Sequence, residues 1–353
     1  MRIAFLTPSL ANKGPVLVVK DLVTQLVLDP ANQVEVFYFD DIPDLDFPVK
    51  TRRISFKDRF LFEGFDVVHS HGLRPDYYIF KNRKHIKAAC VSTIHSIVTE
   101  EYRARFNALA GWLVQKLWVR VLQRHDALVC LSQYMLQHYK PVFPKTALHV
   151  VMNGRDLAEI PLPEEYDRVR LEEFRKRYRV IGTACVVTRR KGLHQVIAAL
   201  PLLPEWGFVV VGEGPELQNL QQQAAAAGLS ERCLFLGYRH QGFKFYPFFD
   251  IFVLSSYTEG LPLALLEAAA LRTPTVCADI PLLREIFNDD EVSFFSLDNN
   301  MDFKTSVSRL MDNRSAYVSQ MHKRYLLHYT SAAMAAHYRS IYQDLDRRKS
   351  EHE

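Results

Sequence analysis

Short, unbroken apolar runs alternate with helix-forming stretches along this chain, in two series parted by one charged interval. The first series of runs falls at residues 2–7, 34–39, 66–70, 89–94, 127–131 and 148–151, with helical stretches at 16–28, 75–86 and 101–124. The second falls at 180–187, 207–212, 233–236, 250–255, 275–278 and 292–295, and helical patterns close it at 301–312, 315–327 and 332–347. Apolar runs without polar alternation are the mark of strands covered on both faces. Strand, helix, strand in succession is the βαβ unit of a parallel sheet. Such a chain is confined to the α/β class. Between the series, residues 155–178 hold two prolines and a dense mixture of Asp, Glu, Arg and Lys. The expected organisation is therefore a Rossmann-like domain over residues 1–160, a linker with a solvated helix over 161–178, and a second Rossmann-like domain over 179–330. A last helix over 331–353, with Tyr338, Ile341, Tyr342 and Leu345 at helical spacing, is expected to cross back to the first domain, and its tail from Lys349 to be solvated. Two domains of similar size imply a cleft between them, a favoured place for ligands.

Composition removes several classes. The 353 residues are 48% hydrophobic and 24% charged, a globular profile, and the net charge is only +4. No basic tract of 5–8 residues is present, so no nucleic-acid partner is expected; weak attraction to anionic lipid or a polyanionic nucleotide is compatible with the charge. Five cysteines, Cys90, Cys130, Cys185, Cys233 and Cys277, are odd in number and far apart, which reads as reduced core thiols in a cytoplasmic protein. The N-terminus lacks the long apolar region of a signal peptide. No uncharged apolar segment reaches about 18 residues, so no transmembrane helix is expected.

The stretch from Thr258 to Ala270 carries most of the chemistry. It follows the apolar run at 250–255 and passes into a Leu/Ala-rich helix, with Pro262 suited to its first turn. The amides of Gly260, Leu261, Leu263 and Ala264 lie around that helix start, where the dipole favours an anion. Glu259 stands in the loop, and Glu267 lies well over one turn into the helix. A diphosphate at the helix end, with a hydroxylated group beside each carboxylate, fits this layout; the expected ligand is a nucleotide sugar.

Glu259 and Glu267, with seven residues between them, resemble the E-x7-E signature of retaining glycosyltransferases of the GT-B fold, particularly glycosyltransferase family 4. The likeness extends through both domains. Asn153-Gly154 matches the pair closing the family's N-terminal domain, Arg190-Lys191-Gly192 its donor-site segment, and Val211-Gly212-Glu213-Gly214-Pro215 its glycine loop. The resemblance implies a GT-B architecture, two Rossmann-like domains facing a central cleft. It implies that Glu259 lies against the donor sugar and eases charge at the anomeric carbon, that Glu267 grips the ribose, and that Lys191 neutralises the diphosphate. It puts His95, in Thr93-Ile94-His95, beside the donor sugar, Gly14 in a glycine loop facing the diphosphate and acceptor, and Gly212, Gly214 and Tyr238 near the nucleotide. The sequence departs from the family at two points. Val186 stands where an arginine is usual five residues before the lysine, leaving Arg189 or Arg190 to supply that cation. Leu261 and Pro262 stand where an aromatic residue and a glycine are common.

The implied activity is transfer of a sugar, with retention and without a metal, from a nucleotide donor, UDP-linked by preference, to a glycan or lipid-linked glycan. Bacterial surface polysaccharide or lipopolysaccharide synthesis is the implied setting, and no cofactor is expected. A nucleotide-sugar epimerase of the same architecture and a non-catalytic partner subunit, the latter suggested by Val186, stay as alternatives. A dinucleotide oxidoreductase is disfavoured, because no G-x-G-x-x-G follows the first strand of either series. His69-Ser70-His71 invites a metal reading. It is set aside because strand alternation is taken to turn the two imidazoles to opposite faces and no acidic cluster completes a set. Asp44-Leu45-Asp46 resembles the metal motif of the other large glycosyltransferase fold, but sits in a proline-flanked loop out of context. The helix at 101–124 interleaves Phe106, Leu109, Trp112, Leu113, Leu117, Trp118 and Val121 with Arg103, Arg105, Lys116, Arg120 and Arg124. A buried helix with a basic outer face is the favoured reading, and a surface lying on the inner membrane the alternative.

Overall fold

The computed structural model describes residues 1–58, 60, 62–97, 108–157 and 159–350. Arg103, Arg105, Phe106, the side chains of Leu109, Lys349 and Ser350, and the tail from 351 lie outside the described residues. The chain divides into two compact units, one of residues 1–155 together with the segment from His328 onward, the other Asp156–Leu327.

The first unit is built on a parallel sheet of strands β1 (Arg2–Ser9), β2 (Gln33–Asp40), β3 (Thr51–Arg53), β4 (Val67–His71), β5 (Ala89–Ile94), β6 (Ala127–Cys130) and β7 (Ala147–Val150). Their order is β3-β2-β1-β4-β5-β6-β7. Helices α1 (Gly14–Leu26), α2 (Leu73–Asn82), α3 (Ala108–Leu122) and α4 (Gln133–Tyr139) make crossovers, and α12 (Ser331–Ser350) completes the unit. Strands β4, β5 and β6 are buried at every position, the polar His69, Ser70 and His71 of β4 and Ser92 and Thr93 of β5 included. Edge strand β3 is Thr51-Arg52-Arg53, all exposed; nothing in its composition announces it, and it exists by pairing with Val36, Phe37 and Tyr38. Helix α4, also unannounced, starts at Ser132, whose hydroxyl accepts the Met135 amide at 3.0 Å.

The last helix joins the first unit through specific contacts. Tyr338 and Tyr342 are buried; the Tyr342 hydroxyl lies 2.6 Å from His69 Nδ1, and the Tyr338 hydroxyl 2.8 Å from Thr93 Oγ1. Gly154 explains itself here. A Cβ at that position would sit 2.1 Å from the Thr330 carbonyl oxygen, so only glycine lets the two segments pass.

In the second unit strands β8 (Arg179–Ala184), β9 (Trp206–Val211), β10 (Cys233–Gly237), β11 (Ile251–Leu254), β12 (Thr275–Ala278) and β13 (Ser293–Phe295) are also parallel, in the order β10-β9-β8-β11-β12-β13. Counted from β8 this is 3-2-1-4-5-6, the doubly wound order, with its switch point between β8 and β11. The helices are α5 (Glu165–Arg177), α6 (Leu193–Ala199), α7 (Leu217–Ala226), α8 (Leu263–Ala270), α9 (Pro281–Ile286), α10 (Asn300–Asp312) and α11 (Arg314–His328).

Helix α5 is largely solvated, as expected over 161–178, but it is docked on the second unit rather than standing free between units. Leu171 is fully buried, the Phe174 ring fills the space above Gly207, and buried Asp167 is ion-paired with Arg239. Lys244, itself buried, bonds Glu164 at 2.9 Å. The interval is charged because its ion pairs fasten it to the second unit.

Two further readings change. His69 and His71 do not diverge: positions two apart in a strand share a face, and their ring centroids are 4.3 Å apart. Helix α3 is two-sided. Trp118, Val121 and Leu122 are buried, whereas Trp112, Leu113 and Leu117 are 47%, 54% and 62% exposed. Its outer face is thus apolar as well as basic. No helix among the described residues is long and apolar enough to cross a membrane. Four of the five cysteines are buried and all are free thiols.

Candidate active site

The switch point of the second sheet gathers the residues singled out around Glu259. The loop after β8 carries a 3-10 turn at Arg189–Lys191, and the loop after β11 carries Ser255 to Pro262. Backbone and side chains stitch the two together. The Tyr257 amide donates to the Arg190 carbonyl at 2.9 Å, the Ser255 hydroxyl to the Lys191 carbonyl at 2.9 Å, and Gln195 Nε2 to the Ser255 carbonyl at 3.0 Å. Gly192 makes this closeness possible. Its φ is +63°, and a Cβ would lie 2.2 Å from the Ser255 carbonyl oxygen.

On that scaffold Glu259 is held from three sides. Lys191 Nζ donates to Oε1 at 2.6 Å, the Ser256 hydroxyl to the same oxygen at 2.5 Å, and an Arg190 guanidinium nitrogen to Oε2 at 3.1 Å. Arg190 also donates to the Thr258 carbonyl at 2.6 Å. Burial alone would raise the Glu259 carboxyl; the charges of Lys191 and Arg190 and the hydrogen bonds from Lys191 and Ser256 outweigh it and hold the group below its usual range. Two cations and one anion leave a net positive charge in a largely buried place, where charge acts at low effective dielectric.

The helix start lies beside this cluster. Pro262 is the residue before α8 rather than its first member, with φ −73° and ψ 113°. The Leu265 amide is taken by the Pro262 carbonyl at 3.1 Å; the first N–H groups of any helix, here those of Leu263 and Ala264, have no intrahelical acceptor. Leu261 is buried, and Glu267 is buried at the fifth position of the helix.

Gly212 and Gly214 are required by the backbone of their own unit. Gly212 has φ +141°, and its missing Cβ would fall 1.9 Å from the Cys185 carbonyl oxygen; that of Gly214 would fall 2.2 Å from the Val187 carbonyl oxygen. What comes close is the backbone of the loop after β8. The hydrogen bonds Cys185 N–H to Val211 O and Val187 N–H to Glu213 O fix this pairing. Val186, between them, is 65% exposed, as is Tyr238 at 58%.

Gly14 and His95 belong to the first unit. Gly14 opens α1, has no positive φ, and has open space where a Cβ would stand; a tight turn is not what selects it. His95 follows β5, with its Nε2 2.9 Å from His71 Nδ1. Burial drives the His95 imidazole down to about 4 and that of His71 well below its ordinary value, so both are neutral near pH 7.

Sequence reasoning passed over Ser255, Ser256 and Gln195, which are small polar residues in unremarkable positions. It also missed the Tyr257 hydroxyl, which donates to Asp298 at 2.5 Å and lies 3.1 Å from His194 Nε2. The only signal was adjacency to Glu259 and Lys191.

A doubly wound sheet with a cationic cluster and a helix start at its switch point defines a nucleotide-type binding domain, and the comparisons give it a class. Residues 169–325 match the family model for glycosyl transferases group 1, and residues 21–159 that for Glycosyltransferase Family 4. The chain belongs to the family 4 glycosyltransferases, and it is a glycosyltransferase of two Rossmann-like α/β domains. It is 26% identical over 362 residues to the O-antigen biosynthesis glycosyltransferase WclY of Escherichia coli, covering 98% of this chain and 99% of that one. It is 28% identical over 244 residues to the lipopolysaccharide core biosynthesis mannosyltransferase LpsB of Rhizobium meliloti, covering 63% and 67%. Among solved structures, HepE of Anabaena in complex with UDP-glucose superposes with a TM-score of 0.80 at 17% identity, covering 98% of this chain and 100% of that one.

Proposed function

We propose that this glycosyltransferase moves a sugar from a UDP-linked donor to a hydroxyl of a glycan or lipid-linked glycan, with retention and without a metal, in the synthesis of a bacterial surface polysaccharide. The observation that carries the reading is the cluster of Lys191, Arg190 and Glu259 beside the start of α8. Its net positive charge and the amides of Leu263 and Ala264 suit a diphosphate. Arg190 takes the part of the cation missing at Val186. Glu259, fixed as a carboxylate, offers negative charge to the positive charge developing at the anomeric carbon. Glu267 holds ribose hydroxyls. In the transfer, the bond between the anomeric carbon and the diphosphate oxygen breaks, and the acceptor oxygen bonds the same carbon on the same face. The acceptor's proton passes to the departing phosphate oxygen. His95 contributes a hydrogen bond to the donor sugar. The names of WclY and LpsB, which place those relatives in O-antigen and core synthesis, and the UDP-sugar complex of HepE support the choice of donor and setting.

Purified protein incubated with a panel of UDP-sugars and GDP-mannose, with and without a lipid-linked acceptor, tests this. Transfer is expected only with acceptor, undiminished in EDTA, with an axial donor linkage giving an axial product by NMR. A strict need for Mg²⁺ or Mn²⁺, or an inverted product, contradicts the mechanism; conversion of the donor without acceptor favours an epimerase.

The outer face of α3 supports a peripheral contact with the membrane. Trp112, Leu113 and Leu117 are exposed there, the Lys116 ammonium lies 3.9 Å from the Trp112 ring, and Arg120 follows one turn on. Sedimentation with vesicles of phosphatidylglycerol and phosphatidylethanolamine is expected to capture the protein. Replacing Leu113 and Leu117 by Glu should weaken capture at least about tenfold, given some 1.5–3 kcal/mol per buried leucine. Equal capture of the variant argues against this face.

A further inference from the structure

We propose that His71 is a positioning residue that fixes the tautomer of His95, so that His95 presents a protonated Nδ1 as a hydrogen-bond donor. The use made of this donor rests on the reading, given above, that His95 meets the donor sugar; the tautomer itself does not.

The argument starts from β4. Its last three residues are His69, Ser70 and His71, all buried, and the two imidazoles lie side by side on one face. His69 is fully engaged: Nδ1 lies 2.6 Å from the Tyr342 hydroxyl and Nε2 2.8 Å from Thr93 Oγ1. It therefore has no nitrogen to offer His71. The Phe5 ring, 6.1 Å from that of His71 between centroids, is apolar. His71 is left with a single partner, Nε2 of His95 at 2.9 Å through its Nδ1. Its own Nε2 is buried with no hydrogen-bond partner among the described residues.

One proton lies between His71 Nδ1 and His95 Nε2, and it belongs to one of them. If it sits on His95, a neutral His71 must carry its own proton on Nε2, as an N–H buried without an acceptor. If it sits on His71 Nδ1, the buried orphan is only a lone pair. Orphaned buried N–H groups are the rarer of the two in folded proteins, and the second arrangement is the favoured one. His95 Nε2 is then an acceptor, and a neutral His95 must be protonated at Nδ1. Burial keeps both rings neutral, so neither escapes the choice by charging. The packing of His71 against His69, and of His69 against α12, holds the relay in place. His95 follows β5 directly and is partly exposed, so its fixed Nδ1–H suits a sugar hydroxyl or ring oxygen as acceptor. A histidine free to change tautomer would present a donor only part of the time.

Long-range ¹H–¹⁵N correlation spectra of protein labelled at histidine read the tautomer directly. Wild-type protein is expected to show His95, assigned by His95→Gln, as the Nδ1–H form. In His71→Phe the fixed donor is gone and His95 should shift to the Nε2–H form that free imidazole side chains prefer. His71→Gln, whose amide can donate to His95, should keep the Nδ1–H form, and it covers the case in which the phenylalanine variant does not fold. Outer partners that orient a histidine at metal centres are worth about 10–100-fold in affinity or activity, and a loss of about tenfold in kcat, restored by His71→Gln, is expected here. A wild-type spectrum with His95 protonated at Nε2, or no change of form in His71→Phe, overturns the proposal. Undiminished turnover in His95→Ala instead overturns the reading that His95 serves the sugar, and leaves the spectra to decide the relay.

Discussion

Glu259→Gln is expected to lower kcat by about 10²–10³-fold, the loss seen when one preorganised electrostatic group is removed from a reacting centre, while the KM for the nucleotide sugar stays level or falls. The split follows from the cluster. Gln fills the same space and its Oε1 can still accept from Ser256 and Lys191, but its amide nitrogen cannot accept from Arg190, so this variant too should melt lower. What disappears is the negative charge that the buried carboxylate holds, and with it the counter-charge for Lys191 and Arg190. Both cations then act undivided on the diphosphate, which favours donor binding, whereas the anomeric carbon loses its stabilising anion. Lys191→Ala should behave differently. It removes one of the two charges that keep Glu259 ionised, and breaking a buried ion pair costs about 3–5 kcal/mol in favourable geometries. That variant should lose thermal stability and raise KM as well as lose turnover. Steady-state kinetics with varied donor separate the two patterns by the opposite directions of KM. Turnover of Glu259→Gln within about threefold of wild type, a difference under 1 kcal/mol, would remove the carboxylate from the chemistry.

Lys191 and Glu259 also show where a sequence stops being readable. Each was visible alone, the carboxylate after an apolar run and the lysine before a glycine. That they pair is a fact of topology: β8 and β11 are distant in sequence but adjacent in the sheet, and their loops meet only there. The resemblance to known glycosyltransferases supplied the pairing in outline but assigned the lysine to the diphosphate alone; the structure shows it also committed to Glu259. Strands β9 and β12 were legible because every position is buried and none but Thr275 carries a hydroxyl, an amide or a charge on its side chain. Strand β3 was not, since it is polar, exposed and three residues long, and only β2 creates it. Helix α5 was legible as a solvated helix, but its docking on the second unit was not, because Asp167 looks like a solvated residue until Arg239 faces it. The packing of Gly212 and Gly214 against the Cys185 and Val187 carbonyls was not legible, because it too depends on which loops the sheet brings together. The histidines of β4 were misjudged by a slip of period, since residues two apart share a face.

Those histidines carry the second large expectation: the first unit should lose stability as the pH falls from about 7.5 to about 5, through His69, His71 and His95 together. The sign follows from their depressed values. Burial lowers all three, His95 to about 4 and the others well below the ordinary 6.5. A folded state that refuses protons the unfolded chain accepts is at full strength above about 6.5 and weakens as the pH falls. His95, lowered to about 4, costs about 2 kcal/mol by pH 5, from about 1.4 kcal/mol per proton and pH unit, and His69 and His71 add in the same direction. His125, buried and also lowered, adds in the same direction, its shift opposed by Asp76 at 3.8 Å. Asp76 works the other way, since burial raises it above 3.8, but only over the interval between that value and its own raised one. The loss is drawn from a total of only about 5–15 kcal/mol for an ordinary domain. Urea unfolding followed by tryptophan fluorescence in a Trp206→Phe background reads the first unit through Trp112 and Trp118. The midpoint should fall steeply from pH 7.5 to 5, and the double variant His69→Gln, His71→Gln should show a shallower fall. Superimposable urea curves at the two pH values would mean that these imidazoles take up protons in the folded protein as readily as in the unfolded chain.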